Sequence, residues 1–315
     1  MARPRGPAVA RAAGVAPPPG EHGGDGPRLA AALGVSPDEV LDLSMSVNPC
    51  APDVAALARA HLGSLRRYPD ATEAVAALAQ AVGIPADRVV LTNGGSEAIA
   101  AVAAEVGAGW VEPPEFSLYA RHLPVLRPGA GRWRSNPCNP TGELAAPGDE
   151  AAVWDEAFWP LATGTWTRGD ADRGAWVVGS LTKAFACPGL RVGYVLCPGP
   201  AEAERARSRL PAWSVSGLAC ALVPALMASA DLERWAAEVR RLRAELVGVL
   251  AGAGYSPVAA DGPWALVPGA GDLRERLARA AVLVRDCTSF GLAGTVRVAV
   301  PDEPGLERVA KALST

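Results

Sequence analysis

The stretch GSLTKAFACPGLRVGY, Gly179 to Tyr194, decides how the rest of this 315-residue chain is read. It continues an apolar run, AWVVG (175–179), so a buried-type strand delivers Ser180 and then Lys183 into a turn with apolar neighbours. Among the 30 Lys and Arg residues only Lys183 and Lys311 are lysines. Arginine replaces lysine at most ion pairs, but a guanidinium stays protonated and cannot act as an amine nucleophile. Lys183 is therefore the first candidate for covalent chemistry. Lys311, in EPGLERVAKALS, reads as a solvated residue of a terminal helix.

Working outward, RVVLT (88–92) is a strand, NGGS a tight turn and EAIAAVAAEVG (97–107) a helix. ATEAVAALAQAVG (71–83) has helical spacing and ends on glycine. GWVEP, AAVW (151–154), AWVVG (175–179) and VGYVLC (192–197) are further strand candidates. Strands alternating with helices mean an α/β domain with a mostly parallel sheet. From Ala201 helices dominate to about Leu250, and the basic face of LERWAAEVRRLRAELVGVL reads as solvated. WALVPG, LRERLARA, AVLVRDC and TVRVAV then suggest a small α+β C-terminal domain closed by a helix from about Pro304. Residues 1–20, with three Arg, no acid and many Pro, Gly and Ala, read as a disordered tail. The remaining divisions are an N-terminal arm and linker (21–65), a large domain (66–212) and a small domain (213–315).

A net charge of −3 argues against a nucleic-acid partner. No apolar run reaches bilayer length, which argues against a membrane. Six cysteines without CxxC spacing and only three histidines give no metal pattern, and free thiols fit a cytoplasmic protein.

Several short motifs carry candidate chemistry, each with a plainer reading beside it. TNGGSEAI (92–99) puts Gly95 and Ser96 at a helix start, where backbone N–H groups make an anion site, although any Gly-Ser cap looks similar. NPCNPTG (136–142), holding Asn139, is by itself a turn signature. In VWDEAF (153–158), Asp155 closes an apolar strand where α/β sheets place ligands, or else caps a helix. Phe116 in PPEFSLY could be core, and Arg297 in VRVAV could be solvated or could grip a carboxylate with its guanidinium fork.

Taken in order, these motifs resemble fold-type I pyridoxal-phosphate (PLP) enzymes, in the aminotransferase class I/II superfamily, over about residues 20–310. The resemblance implies that Lys183 forms an imine with the cofactor aldehyde. It also implies that Gly95, Ser96, Ser180 and Arg191 bind the phosphate, Phe116 stacks on the ring and Asn139 bonds the 3′-oxygen. Asp155 pairs with the protonated pyridine nitrogen, which makes the ring an electron sink. Tyr68, in RRYPD, reaches the phosphate of a neighbouring subunit, implying a homodimer with shared active sites.

Within the superfamily the chain looks like the histidinol-phosphate aminotransferase group and its threonine-phosphate decarboxylase branch. Three features carry that likeness: HGGD (22–25), Phe158 where aminotransferases usually place a tyrosine, and VRDCTSFGL (284–292). The substrate implied is a small amino acid or amino acid phosphate, bound by Arg297, Arg285, His22 and Asn48. The branch leaves decarboxylation in cobalamin biosynthesis, transamination of histidinol phosphate, and a non-catalytic partner or sensor as alternatives.

One departure stands out. Only 23 positions separate Phe116 from Asn139 and 16 separate Asn139 from Asp155, shorter than in the aminotransferases. This predicts a trimmed large domain in which a crossover helix or strand is reduced to loop.

Overall fold

The computed structural model describes residues 14–314. Among the described residues eleven strands form two sheets: β1 (Leu41–Leu43), β2 (Val89–Thr92), β3 (Ala108–Val111), β4 (Val125–Leu126), β5 (Arg132–Ser135), β6 (Val153–Asp155), β7 (Trp176–Ser180), β8 (Gly193–Leu196), β9 (Trp264–Val267), β10 (Val282–Asp286) and β11 (Val296–Ala299). The large sheet runs β2-β8-β7-β6-β5-β3-β4 and the small one β1-β10-β11-β9. In the large sheet only β8 is antiparallel to its neighbours. Its central strands are buried on both faces, as near-continuous apolar runs require. The architecture is the α/β large domain and small α+β domain expected from the element order.

The trimming fell on helices, not strands. All seven strands of the large sheet are present, but residues 127–131 link β4 to β5, and 136–152 link β5 to β6, with no helix in either. Arg168 compensates in the second gap. One of its terminal nitrogens donates to the carbonyls of Ala146 (3.0 Å), Pro147 (2.8 Å) and Asp149 (3.2 Å). The same guanidinium lies 4.8 Å over the fully buried Trp154 ring. Arg134 on β5 helps, pairing with Asp149 of the loop and lying 5.8 Å from the same ring, so two cations hold the loop and cover Trp154 on β6. At the sheet edge the two-residue β4 leaves Val125 and Leu126 about half exposed.

Several segments lie elsewhere than expected. Residues 1–13 of the expected tail lie outside the described residues. Residues 14–20 are docked on the small domain: the Glu275 carboxylate accepts from Val15 and Ala16 N–H (2.8 and 2.9 Å). β1, from the arm, adds a parallel strand to the small sheet. The helix Gly217–Ser229 packs on Thr72–Val82, so its side chains join the large-domain core. The helix Leu232–Gly252, capped by Asp231, then spans both cores. Trp235 packs edge-on to Phe185 in the large domain (5.4 Å), while Leu242, Leu246 and Leu250 pack in the small one.

Candidate active site

A cavity of about 300 Å³ opens where the arm, the large domain and the small domain meet. It lies outside the carboxyl ends of β6 and β7, where open α/β sheets place their ligands. Its walls bring together Lys183, Gly95, Ser96, Phe116, Asn139, Asp155, Ser180, Arg191, His22, Arg285 and Arg297.

Lys183 stands on a single helical turn, Leu181–Ala184, immediately after β7. Its Nζ lies 5.7 Å from the Phe158 ring centre and pairs with no carboxylate among the described residues. Burial, helped by the positive charges of Arg297 and Arg191, lowers its pKa from 10.5 to about 8, against the opposing pull of Asp155. At pH 7 roughly a tenth of the amine is therefore unprotonated and nucleophilic, far more than for an ordinary lysine. Lys311 is exposed on the last helix.

Asp155 ends β6, and its carboxylate accepts from the Tyr119 hydroxyl (2.8 Å) and the Ala157 N–H (2.9 Å). Burial raises its pKa, and those two bonds partly restore its acidity. It thus has the geometry to hold a proton on a cationic ring nitrogen.

The anion end is built from the first turn of the helix Gly95–Val106, with Ser180 and Arg191 beside it. Gly94 is required there: its φ is +78°, and a Cβ on it would lie 2.3 Å from an Arg191 terminal nitrogen. That close approach keeps the guanidinium against the helix N-terminus, where dipole and charge add. Arg191 donates to the Pro188 carbonyl (3.1 Å) and has no acidic partner among the described residues.

The opposite wall carries two buried arginines on neighbouring strands, Arg285 and Arg297, which are register partners. Neither forms an ion pair among the described residues. Arg297 donates to Asn139 Oδ1 and stacks 4.8 Å over Trp264, and its buried Nε lacks a partner. Burial lowers its pKa to about 10, so it stays cationic at neutral pH. Arg285 donates to the Gly20 carbonyl (2.9 Å), the Glu21 carbonyl and Ser289 Oγ (2.8 Å), tying the arm down. His22 on that arm packs against Phe116, ring centres 5.5 Å apart, with its Nδ1 buried and unpartnered.

Two expected residues are placed otherwise. The Asn48 side chain is taken up by the backbone, donating to the Ala184 carbonyl (2.8 Å) and accepting from Cys50 N–H (2.9 Å). Its own N–H reaches the Lys183 carbonyl (2.9 Å), so it anchors the lysine turn to the arm and lies outside the cavity lining. Tyr68 is 78 % exposed, stacked on Trp213 at 4.6 Å, and also outside the cavity of its own chain.

The motifs passed over Tyr119, Ser46 and the cavity-lining Phe290, which clusters with Phe158 and with Trp264 behind it. Tyr119 was accessible in principle, because it follows Phe116 by three positions on one helical face. Ser46, fully buried with an unpartnered hydroxyl, carries no sequence signal at all.

The donor set suits PLP. The helix start with Ser180 and Arg191 matches its phosphate, Asp155 its ring nitrogen, Asn139 Nδ2 its ring oxygen, Phe116 its ring face and Lys183 its aldehyde.

Comparison with known proteins agrees. Residues 133–313 match the family described as aminotransferase class I and II. A threonine-phosphate decarboxylase from Sinorhizobium sp is 32% identical, the match covering 93% of this chain and 97% of that protein. Histidinol-phosphate aminotransferase 1 from Dechloromonas aromatica is 25% identical over 90% of this chain and 92% of its own. In fold, the L-threonine-O-3-phosphate decarboxylase of Porphyromonas gingivalis superposes with a TM-score of 0.76 at 20% identity, covering 87% of this chain and 98% of that one. A histidinol-phosphate aminotransferase from Sinorhizobium meliloti, in complex with pyridoxal-5′-phosphate, gives 0.73 at 16% identity, covering 85% and 88%.

Proposed function

Because this chain belongs to the class I and II aminotransferase family, whose members are PLP-dependent enzymes, we propose that it removes CO₂ from a small phosphorylated amino acid, L-threonine O-3-phosphate or a close analogue. The observation that carries the substrate class is the pair of buried, unpaired guanidiniums, Arg285 and Arg297, facing one cavity. A buried cation without a carboxylate partner is costly unless a ligand supplies the anion. Two of them suit a substrate with two anionic groups, a carboxylate and a phosphate.

Bound PLP supplies an aldehyde for the substrate amine and an electron-withdrawing ring beside the α-carbon. The chain's own residues do the rest. Asp155, held by Tyr119 and Ala157, keeps the proton on the ring nitrogen. Arg297 orients the carboxylate, and Arg285, with His22 and the arm, takes the phosphate end. Lys183 Nζ would hold the cofactor aldehyde and, as a free amine near the α-carbon, would supply the proton that replaces CO₂ there. Phe158, in van der Waals surroundings with Trp264 (4.8 Å), leaves that wall without a hydroxyl.

The reading of decarboxylation over transamination is supported by the 32%-identical decarboxylase and by Phe158. Histidinol-phosphate transamination is the second reading, favoured by several relatives at 25–29% identity. The test is to offer O-phosphothreonine and histidinol phosphate side by side and follow CO₂ and keto-acid conversion. Amino transfer without CO₂ release refutes decarboxylation. The exposed Tyr68–Trp213 stack, beside exposed Leu62 and Leu65, supports a homodimer in which Tyr68 completes the partner's phosphate site. The free cysteines fit a cytoplasmic setting.

A further inference from the structure

Glu115 is a half-buried carboxylate that no role described so far uses. It immediately precedes Phe116, at the start of the helix Ser117–His122. Its carboxylate accepts from the Ser135 N–H (3.0 Å) and from Ser135 Oγ on β5. That same Ser135 Oγ accepts from the Asn139 N–H at 2.7 Å. One carboxylate therefore ties the residue that faces the cofactor ring, Phe116, to the loop that presents Asn139 to the ring edge.

We propose that Glu115 is a positioning residue that, through Ser135, locks Phe116 and Asn139 into a single jaw, and that the jaw is tight only when Glu115 is ionised. The proposal rests on the reading that the cavity holds PLP.

The surroundings support a titrating lock. The ionisable groups facing Glu115 are Asp155 from β6, Tyr119 from its own helix and Cys138 from the loop after β5. No Arg, Lys or His pairs with it among the described residues. Burial first, with the Asp155 charge adding, raises its pKa from 4.5 to about 7, against the Ser135 bonds that favour the anion. As the carboxyl protonates it loses acceptor capacity, and the two donors on Ser135 are no longer both satisfied at full strength.

The test is PLP affinity of the full chain, read from tryptophan fluorescence quenching at pH 6 and pH 8.5, for wild type and Glu115→Gln. Titrations of PLP itself and of Lys183 are common to both proteins and cancel in the ratio of their dissociation constants. The ratio is expected near one at pH 6 and about tenfold at pH 8.5, the size of one charge-assisted hydrogen bond. A ratio of one at both pH values overturns the proposal. An equal weakening at both pH values also overturns it, because a merely structural role has no reason to follow pH. Ser135→Ala cuts the link from the other end and is expected to show the same rise. It decides the question if thermal melting shows Glu115→Gln to be unfolded, a flat ratio again overturning the lock. If wild type binds no PLP at either pH, the reading of the cavity fails and takes this inference with it; if wild type binds and the ratios stay flat, only the lock fails.

Discussion

Replacing Lys183 with methionine is expected to stabilise the cofactor-free protein while abolishing its chemistry. The amine is held among Phe158, Arg297 and Arg191, and burial with those charges brings its pKa from 10.5 to about 8. Below pH 8 the lysine is charged in both the folded and unfolded chain, so the folded state carries the full penalty. Each pKa unit is worth about 1.4 kcal/mol, which puts the penalty at ~3 kcal/mol. Methionine has similar length and no charge, and the lost attraction to Asp155 is already contained in the value of about 8. The net expectation is ~3 kcal/mol of added stability at pH 7. Between pH 8 and 10.5 the unfolded lysine binds more protons than the folded one, so wild-type stability rises with pH relative to the variant and the difference shrinks. Urea unfolding of both apoproteins at pH 7 and pH 10 measures it. A variant less stable than wild type at pH 7, or a difference that does not shrink at pH 10, refutes the electrostatic account of Lys183.

Three further perturbations probe other parts of the site and its frame. Lys183→Arg keeps the positive charge but removes the primary amine, so the visible absorbance of bound PLP should disappear while the melting temperature changes little. Gly94→Ala forces a Cβ against Arg191 at a φ of +78°. PLP should then bind at least tenfold more weakly, while pyridoxal, which lacks the phosphate, binds as before; equal losses for both ligands would place the phosphate elsewhere. Arg168→Met removes three bonds to loop carbonyls and the stack on Trp154. It should cost about 2–4 kcal/mol in unfolding experiments, and a loss under ~0.5 kcal/mol would show that the loop holds itself.

Much of the site was legible because its elements are local. Lys183 and Asp155 lie on or just past apolar strands, and the Gly95–Ser96 turn opens a helix, so periodicity and turn chemistry place each of them without knowledge of the rest. The arm was less legible. Residues 14–20 have no apolar pattern, and they are held by Glu275 and Arg285, more than 250 positions away. Asn48 reads as a polar loop residue of the kind that contacts substrate, yet both ends of its amide are spent on backbone groups of the loop and of the lysine turn. The helix Gly217–Ser229 is apolar on all sides, so its pattern could not say which core it joins.

The same division holds for the trimmed region and for Lys183. Short intervals between Phe116, Asn139 and Asp155 showed that something was missing, since chain length limits what a connection can contain. Which element went was decided by packing: strands stay because their backbone groups need the ladder, while the cover over Trp154 could be supplied by the guanidiniums of Arg168 and Arg134. By itself the sequence determined that Lys183 is the one amine at a strand end, because that depends on residue type and local order alone. Only the tertiary structure decided that this amine is depressed to about 8 by burial and by the charges of Arg297 and Arg191, because burial and charge arise from segments brought together across the whole chain.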